Sequence, residues 1–297
     1  MTSSSAFDAL LERVSAGGRL SADELAVLAD APDILPLGML ADALHRRLRE
    51  ARVTYLRVAS CAFDQSFADA VPPAAREIRI TGAPATLDVA VSAVRSARAI
   101  AGDRTVAGFT WSDIDRMASA KGTGVSRALE ELRAAGLDAI SELPLDAMPD
   151  AVIGLVSEAG FRRLRLTIES APAAERLDLF KRASALQATH RCIEALNPLP
   201  TVLQAFRPTT GYADVKAVAL ARLAAPDIPS IQVDWSRYGP KLAQVALTFG
   251  ADDLDAVTGA DDAPDGRRRA PIEEVRRNIE AAGFTPAERD GRFTLLA

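Results

Sequence analysis

The chain has 297 residues, a net charge of −5 and 48% apolar residues. That is long for one ordinary domain, normal for a single α/β barrel, and too apolar for a largely disordered chain. Acidic and basic residues are interspersed, which leaves no electrostatic footprint for nucleic acid or an anionic membrane.

Two cysteines, Cys61 and Cys192, are too few for a disulfide framework and fit a reducing compartment. The N-terminal stretch MTSSSAFDALLERVSAGG carries acids early and lacks the apolar region of a signal peptide. No run reaches the roughly 18 apolar residues of a membrane span. A cytoplasmic protein is expected.

The first fifty residues read as helices. Ser21 and Glu24 form a capping box, with Leu25, Leu28 and Ile34 following at near-helical spacing. Leu37 to Glu50 gives a second amphipathic stretch, ending in Arg46, Arg47 and Arg49, which suit a helix C-terminus. From Thr54 the pattern alternates. Strand-like runs fall at Thr54–Ala59, Glu77–Thr81, Val106–Thr110, Ala139–Leu143, Leu164–Ile168, Cys192–Leu196, Ser230–Trp235 and Asp253–Val257. Helical segments lie between most of them: Thr86–Ile100, Ser126–Ala135, Ala174–Ala188, Tyr212–Ala224, Pro240–Phe249 and, last, Pro271–Ala282.

Eight strands alternating with helices predict an α/β fold, a (β/α)8 TIM-type barrel with N-terminal helices. An open doubly wound sheet is the alternative, but no strand leads into a glycine-rich nucleotide fingerprint. Between the first two strands, FDQSFADAVPPAA has room for one helical turn before Pro72 and Pro73. Gly259–Arg269 reads as an exposed loop, and the tail suggests a short strand pair around Asp290-Gly291. One domain is expected over 1–297, with a helical extension at 1–50, barrel strands across 54–258, and a final helix and tail at 270–297.

Three segments carry a family resemblance: Thr209–Leu223, Ser230–Val257 (SIQVDWSRYGPKLAQVALTFGADDLDAV) and Arg267–Phe293, with a weaker match over Phe109–Ile140. They resemble the radical SAM subfamily of aminofutalosine synthase, dehypoxanthine futalosine cyclase and the deazaflavin-forming synthases. The resemblance implies a [4Fe–4S] cluster held by a C-x-x-x-C-x-x-C loop after the first strand, with S-adenosylmethionine on the open iron. Aligned on Cys61-Ala62-Phe63, the other two ligand positions fall on Thr54 and Val58, which cannot bind iron. Where the family has a Gly-Gly-Glu-Pro turn after strand 2, this chain has Thr81-Gly82-Ala83-Pro84. After strand 4, Ser141-Glu142-Leu143-Pro144 keeps only an acid. Cys61 reads as a remnant of the cluster loop, and neither cluster nor S-adenosylmethionine is expected here. No other metal spacing is present.

Barrel enzymes place their chemistry at the C-terminal ends of strands. Polar residues expected there include Asp64, Glu142, Glu169, Asn197, Asp234 and Asp255, with Glu194 inside strand 6. Alternation from Ile231 and Val233 sends Gln232 and Asp234 to the opposite face, toward the barrel interior, with Trp235 beside them. Glu142, Glu169, Glu194, Asn197, Asp234 and Trp235 form the candidate ligand pocket. Two readings stand. The acids bind a ligand or do acid/base work, or they cap helices and pair with Arg57, Arg79 and Arg165, which carries more weight. The function expected from the resemblance is a cluster-free pseudoenzyme or accessory protein of futalosine-dependent menaquinone biosynthesis. Its partner would be a nucleoside-like small molecule or an active homologue. The alternatives are an active aminofutalosine synthase-like transferase and a barrel repurposed for non-radical acid/base chemistry.

Overall fold

Parallel pairing joins the eight strand-like runs into one closed ring. The computed structural model describes residues 4–203, 210–261 and 271–296. In chain order the elements are α1 (Ser4–Ser15), α2 (Ala22–Asp30), α3 (Leu35–Arg49), β1 (Arg52–Ala62), α4 (Phe67–Ala70), β2 (Glu77–Thr81) and α5 (Leu87–Ala101). Next come β3 (Thr105–Thr110), α6 (Trp111–Lys121), α7 (Val125–Ala135), β4 (Ala139–Pro144), α8 (Ala151–Glu158), β5 (Leu164–Ile168) and α9 (Arg176–His190). The chain ends with β6 (Ile193–Pro200), α10 (Gly211–Ala224), β7 (Ser230–Asp234), α11 (Trp235–Leu247), β8 (Asp253–Thr258), α12 (Pro271–Ala281) and β9 (Thr285–Arg289). Each strand from β2 to β8 pairs with the next, β8 pairs with β1, and β1 pairs back to β2. This is the TIM-type barrel that the alternation predicted.

Local chemistry sets many element ends. Ser21 accepts from the Glu24 amide while the Glu24 carboxylate accepts from the Ser21 amide, completing the capping box of α2. The segment between β1 and β2 holds the single turn α4, as its length allowed. Two helices lacked a sequence signal that singled them out. In α8, AVIGLVSE is apolar on nearly every side, so no period shows. In α6, Thr110 and Asp113 cap each other ahead of a largely polar run. His45 lies buried in α3, stacked on Phe284 at 4.6 Å, with Nε2 3.2 Å from the Arg52 carbonyl.

β1 is longer than the sequence implied and carries three partners. Its first half, Arg52–Leu56, pairs with β9, and its last residues, Val58–Ala62, pair with β2. β9 therefore occupies the lower part of the seam that β2 closes above. The tail turns back around Asp290-Gly291 through one antiparallel bridge, Arg289 to Leu295, with the Asp290 amide on the Thr294 carbonyl and the Leu296 amide on the Glu288 carbonyl, both at 2.9 Å. β9 itself runs parallel to β1. The Gly259–Arg269 loop and the Arg267-Arg268-Arg269 run lie largely or wholly outside the described residues.

The apolar face of each strand looks outward onto the helices, where Tyr55, Ala59, Ile78, Ile80 and Cys61 join the main core. The inward face is charged. Arg165 makes two bonds to the Glu77 carboxylate and one to the Gly291 carbonyl at 3.0 Å. Arg79 bonds Glu77 at 2.6 and 2.9 Å and Asp255 at 3.0 and 3.1 Å. Below them Arg289 grips Asp253 at 2.6 and 2.7 Å, with Gln232 also donating to Asp253. Phe293 lies under the Arg289 and Arg165 guanidinium groups. Three cations thus meet three carboxylates, the condition for keeping such groups out of water. Burial alone would raise the Glu77 carboxyl, but Arg165 and Arg79 outweigh it and hold it below its ordinary value. Asp255 is held well below the carboxylate range in the same way.

Candidate functional site

Above the ionic layer the strand ends enclose a cavity of about 470 Å³, within the range of small-molecule sites. Its lining comes from the C-terminal ends of six strands and the turns beyond them. Ser60 belongs to β1; Arg79, Thr81 and Gly82 to β2 and its turn; Phe109 and Thr110 to β3; Ser141 and Glu142 to β4. Asp234, Ser236 and Arg237 come from β7 and α11, and Ala256 from β8. Arg79 forms part of the floor, already engaged by Glu77 and Asp255.

Asp234 is the N-cap of α11, and its Oδ1 accepts from the Ser236 hydroxyl at 2.8 Å and the Arg237 amide at 2.9 Å. The Arg237 guanidinium lies 3.6 Å from Asp234 and 3.4 Å from Glu142, bridging β4 and β7 across the mouth. After Tyr238 the helix breaks at Gly239, with φ 74° and ψ 171°, and Pro240 restarts it. That backbone geometry is essentially restricted to glycine. Gly82, in the turn after β2, also has a positive φ, 89°, with the Phe63 ring against it. Phe109 (φ 61°) and Ala256 (φ 56°) also line the cavity in left-handed conformations that side chains rarely adopt. Ala256 sits where β8 slips register against β1.

Of the six residues expected to share a pocket, only Glu142 and Asp234 line this cavity. Glu169 lies past the end of β5, where its amide bonds Asp146 at 2.7 Å. Asn197 is buried in β6 and accepts from the Leu199 amide at 3.1 Å. Trp235 packs on the edge of the main core. Glu194 is at the wrong end: it sits at the start of β6 and lines a separate cavity of about 150 Å³ at the barrel floor, with Arg49, Thr54 and Arg289. Burial there raises its carboxyl. The register of β6 slips against β5 beside it, which strand alternation could not anticipate. Asp64 lines an outer groove beside α5, and Asp255 is consumed by Arg79. Asp255 thus has one of the arginine partners the sequence offered.

Ser60, Thr81, Ser141 and Arg237 were not singled out as pocket residues. Their signal was present as period-two alternation in β1 and as the i,i+3 spacing of Asp234 and Arg237. The chain positions alone did not say which strand ends would meet.

The cluster implied by the resemblance can be tested against the positions of the two cysteines and of Thr54 and Val58. Thr54, Val58 and Cys61 all lie in the extended strand β1, not in a loop after it. Seven steps of strand from 54 to 61 cover about 23 Å. Cys61 points into the outer core, fully buried, while Thr54 bonds Asp253 in the interior. Cys192 precedes β6 at the opposite end of the barrel from the mouth. Burial pushes both thiols up, away from the thiolate that iron needs. These residues do not fit a cluster held by three thiolates. Among the described residues no group of three or more His, Cys, Asp and Glu side chains is arranged for a metal.

Fold and site define a TIM-type barrel with an open polar mouth over a charged interior. Residues 198–296 match the family model described as the CofH/MqnC C-terminal region. The 5-amino-6-(D-ribitylamino)uracil–L-tyrosine 4-hydroxyphenyl transferase of Archaeoglobus fulgidus is 26% identical, over 71% of this chain and 71% of that protein. Aminodeoxyfutalosine synthase of Streptomyces coelicolor is 33% identical over 29% of this chain, spanning about a quarter (24%) of its own length. Among solved structures, methylornithine synthase superposes with a TM-score of 0.67 at 14% identity, covering 94% of this chain and 97% of that one. That likeness concerns the fold. The chain is a divergent relative of the radical SAM subfamily of aminofutalosine synthase and dehypoxanthine futalosine cyclase, as the segment Ser230–Val257 implied.

Proposed function

We propose that this chain is a cluster-free relative of aminofutalosine synthase that keeps the barrel mouth as a small-molecule site and performs no radical chemistry. It acts in or beside futalosine-dependent menaquinone biosynthesis, as a ligand-binding or accessory protein for a nucleoside-like intermediate or an active homologue. The observation that carries the reading is the course of β1: the three positions that would ligate iron are spread along a strand, and one of them faces the helices. Further support comes from the mouth itself. It is open and polar, and Phe109 and Ala256 hold strained conformations beside it, as binding residues often do.

Anaerobic reconstitution with iron and sulfide tests the reading. The desalted protein is expected to carry no cluster absorption in the visible range and to leave S-adenosylmethionine intact. A stable cluster that cleaves S-adenosylmethionine overturns it.

A further inference from the structure

The barrel floor, at the end opposite the mouth, holds the second polar cavity, of about 150 Å³. Most of its polar lining is committed. Arg289 places Nε and Nη2 on Asp253 and Nη1 on the Asp290 carbonyl, and the Thr54 hydroxyl donates to Asp253. Arg49 places Nε on Asp252 and Nη2 on the Pro229 carbonyl and the Ser230 hydroxyl. Asp252 also faces Arg222 at 2.9 Å, so one carboxylate serves two guanidinium groups and a positive charge is left over. Of the two remaining lining carboxylates, Glu50 is exposed and Glu194 is partly buried. Arg163, Arg49 and Arg289 all attract Glu194 through space, yet it makes no hydrogen bond or ion pair among the described residues. It bears the cost of lost water without a partner, and its carboxyl is raised. Arg52 lines the same cavity, and its guanidinium is likewise unpaired among the described residues.

We propose that the floor cavity is a second binding site, for a small zwitterion of the α-amino acid kind. The ligand's ammonium pairs with Glu194, and its carboxylate with Arg52 and the unengaged Nη1 of Arg49. No ion pair joins Glu194 to these arginines, so the cavity presents an acceptor and donors held apart. An anion alone would leave Glu194 unpaired, and a cation alone would meet the arginine surplus; a molecule with both charges satisfies the two ends. A cavity of this volume holds about six heavy atoms, the size of benzene, and alanine is of that size. The inference goes beyond the reading of the mouth and does not depend on it.

Calorimetric titration of the full chain at neutral pH with L-alanine, propionate and ethylamine tests it, since the last two each keep one charge of the first. Alanine is expected to bind about tenfold more tightly than either, the scale of one charge-assisted contact. Glu194→Gln should lower the alanine affinity about tenfold without weakening propionate. Its melting temperature should change little, because Glu194 has no partner to lose. Arg52→Gln should weaken alanine and propionate together; a residue that merely shaped the cavity would weaken ethylamine as well. If propionate or ethylamine matches alanine, or if Glu194→Gln weakens propionate as much as alanine, the zwitterion assignment falls. If none of the three binds, the cavity holds only water and the site itself falls. Neither result bears on the cluster-free reading, which reconstitution decides separately.

Discussion

Glu77 is wholly buried and accepts from two arginines, Arg165 on β5 and Arg79 on its own strand. A buried ion pair of this kind is weak evidence of net stabilisation, because desolvating the charges offsets most of their attraction. Removing one partner is a different matter, since the other charges stay in place without a counterion. Glu77→Gln leaves Arg165, only 3% exposed, with no carboxylate within bonding distance among the described residues, and leaves Arg79 relying on Asp255 alone. The variant should lose about 3–5 kcal/mol of stability, the range for breaking a buried pair. Urea unfolding followed by circular dichroism measures it. A loss below about 1 kcal/mol would mean that water reaches the barrel centre and solvates the guanidinium groups.

At the scale of elements, the course of β1 carries the proposed cluster-free reading. Restoring the missing sulfurs by Thr54→Cys and Val58→Cys would give the family's residue pattern in sequence. It would not give the family's geometry, because the strand is fixed by β8 on one side and by β9 and β2 on the other. Two of the thiols would enter the ionic interior, while Cys61 would remain under the helices. The double variant is therefore expected to bind no cluster after anaerobic reconstitution, read from iron and sulfide content after desalting. Stoichiometric cluster in the variant would show that β1 can uncoil into a loop.

The same strand explains what the sequence left hidden. The alternation of β and α was legible because the outer strand faces are apolar and most helices are amphipathic. β9 was not legible: TPAER contains a proline and two charges, and it becomes a strand only because β1 offers an unpaired edge. The inward charges were visible at period two in Glu77-Ile78-Arg79 and Asp253-Leu254-Asp255. Their partners were not, since only ring closure brings β2, β5, β8 and β9 together. For the mouth, two of six expected residues met, because strand register, and not strand order, decides which ends share a cavity.

Over the whole molecule, buried titratable groups should give stability a two-limbed dependence on pH. Burial lowers the His45 pKa below its ordinary 6.5, outweighing the opposing pull of Asp252. Between that lowered value and 6.5 the unfolded chain binds more protons, so stability declines as pH falls through this window and is constant above it. Glu77 and Asp255 are also depressed, from ordinary values of 4.5 and 3.8. Their contribution is full above those values and is lost as pH falls toward the folded ones, producing a second, steeper limb. Glu194, raised by burial, works in the opposite sense just above 4.5 and flattens the join. His45→Leu gives up a ring stack and a hydrogen bond, so it is less stable at every pH. Its diagnostic effect is on slope: the decline that begins near 6.5 should vanish while the acid limb remains. Urea midpoints taken from about pH 8 to about pH 3 separate the two limbs. If the upper limb persists in the variant, the proton uptake belongs to another group and His45 binds its proton alike in the folded and unfolded chains.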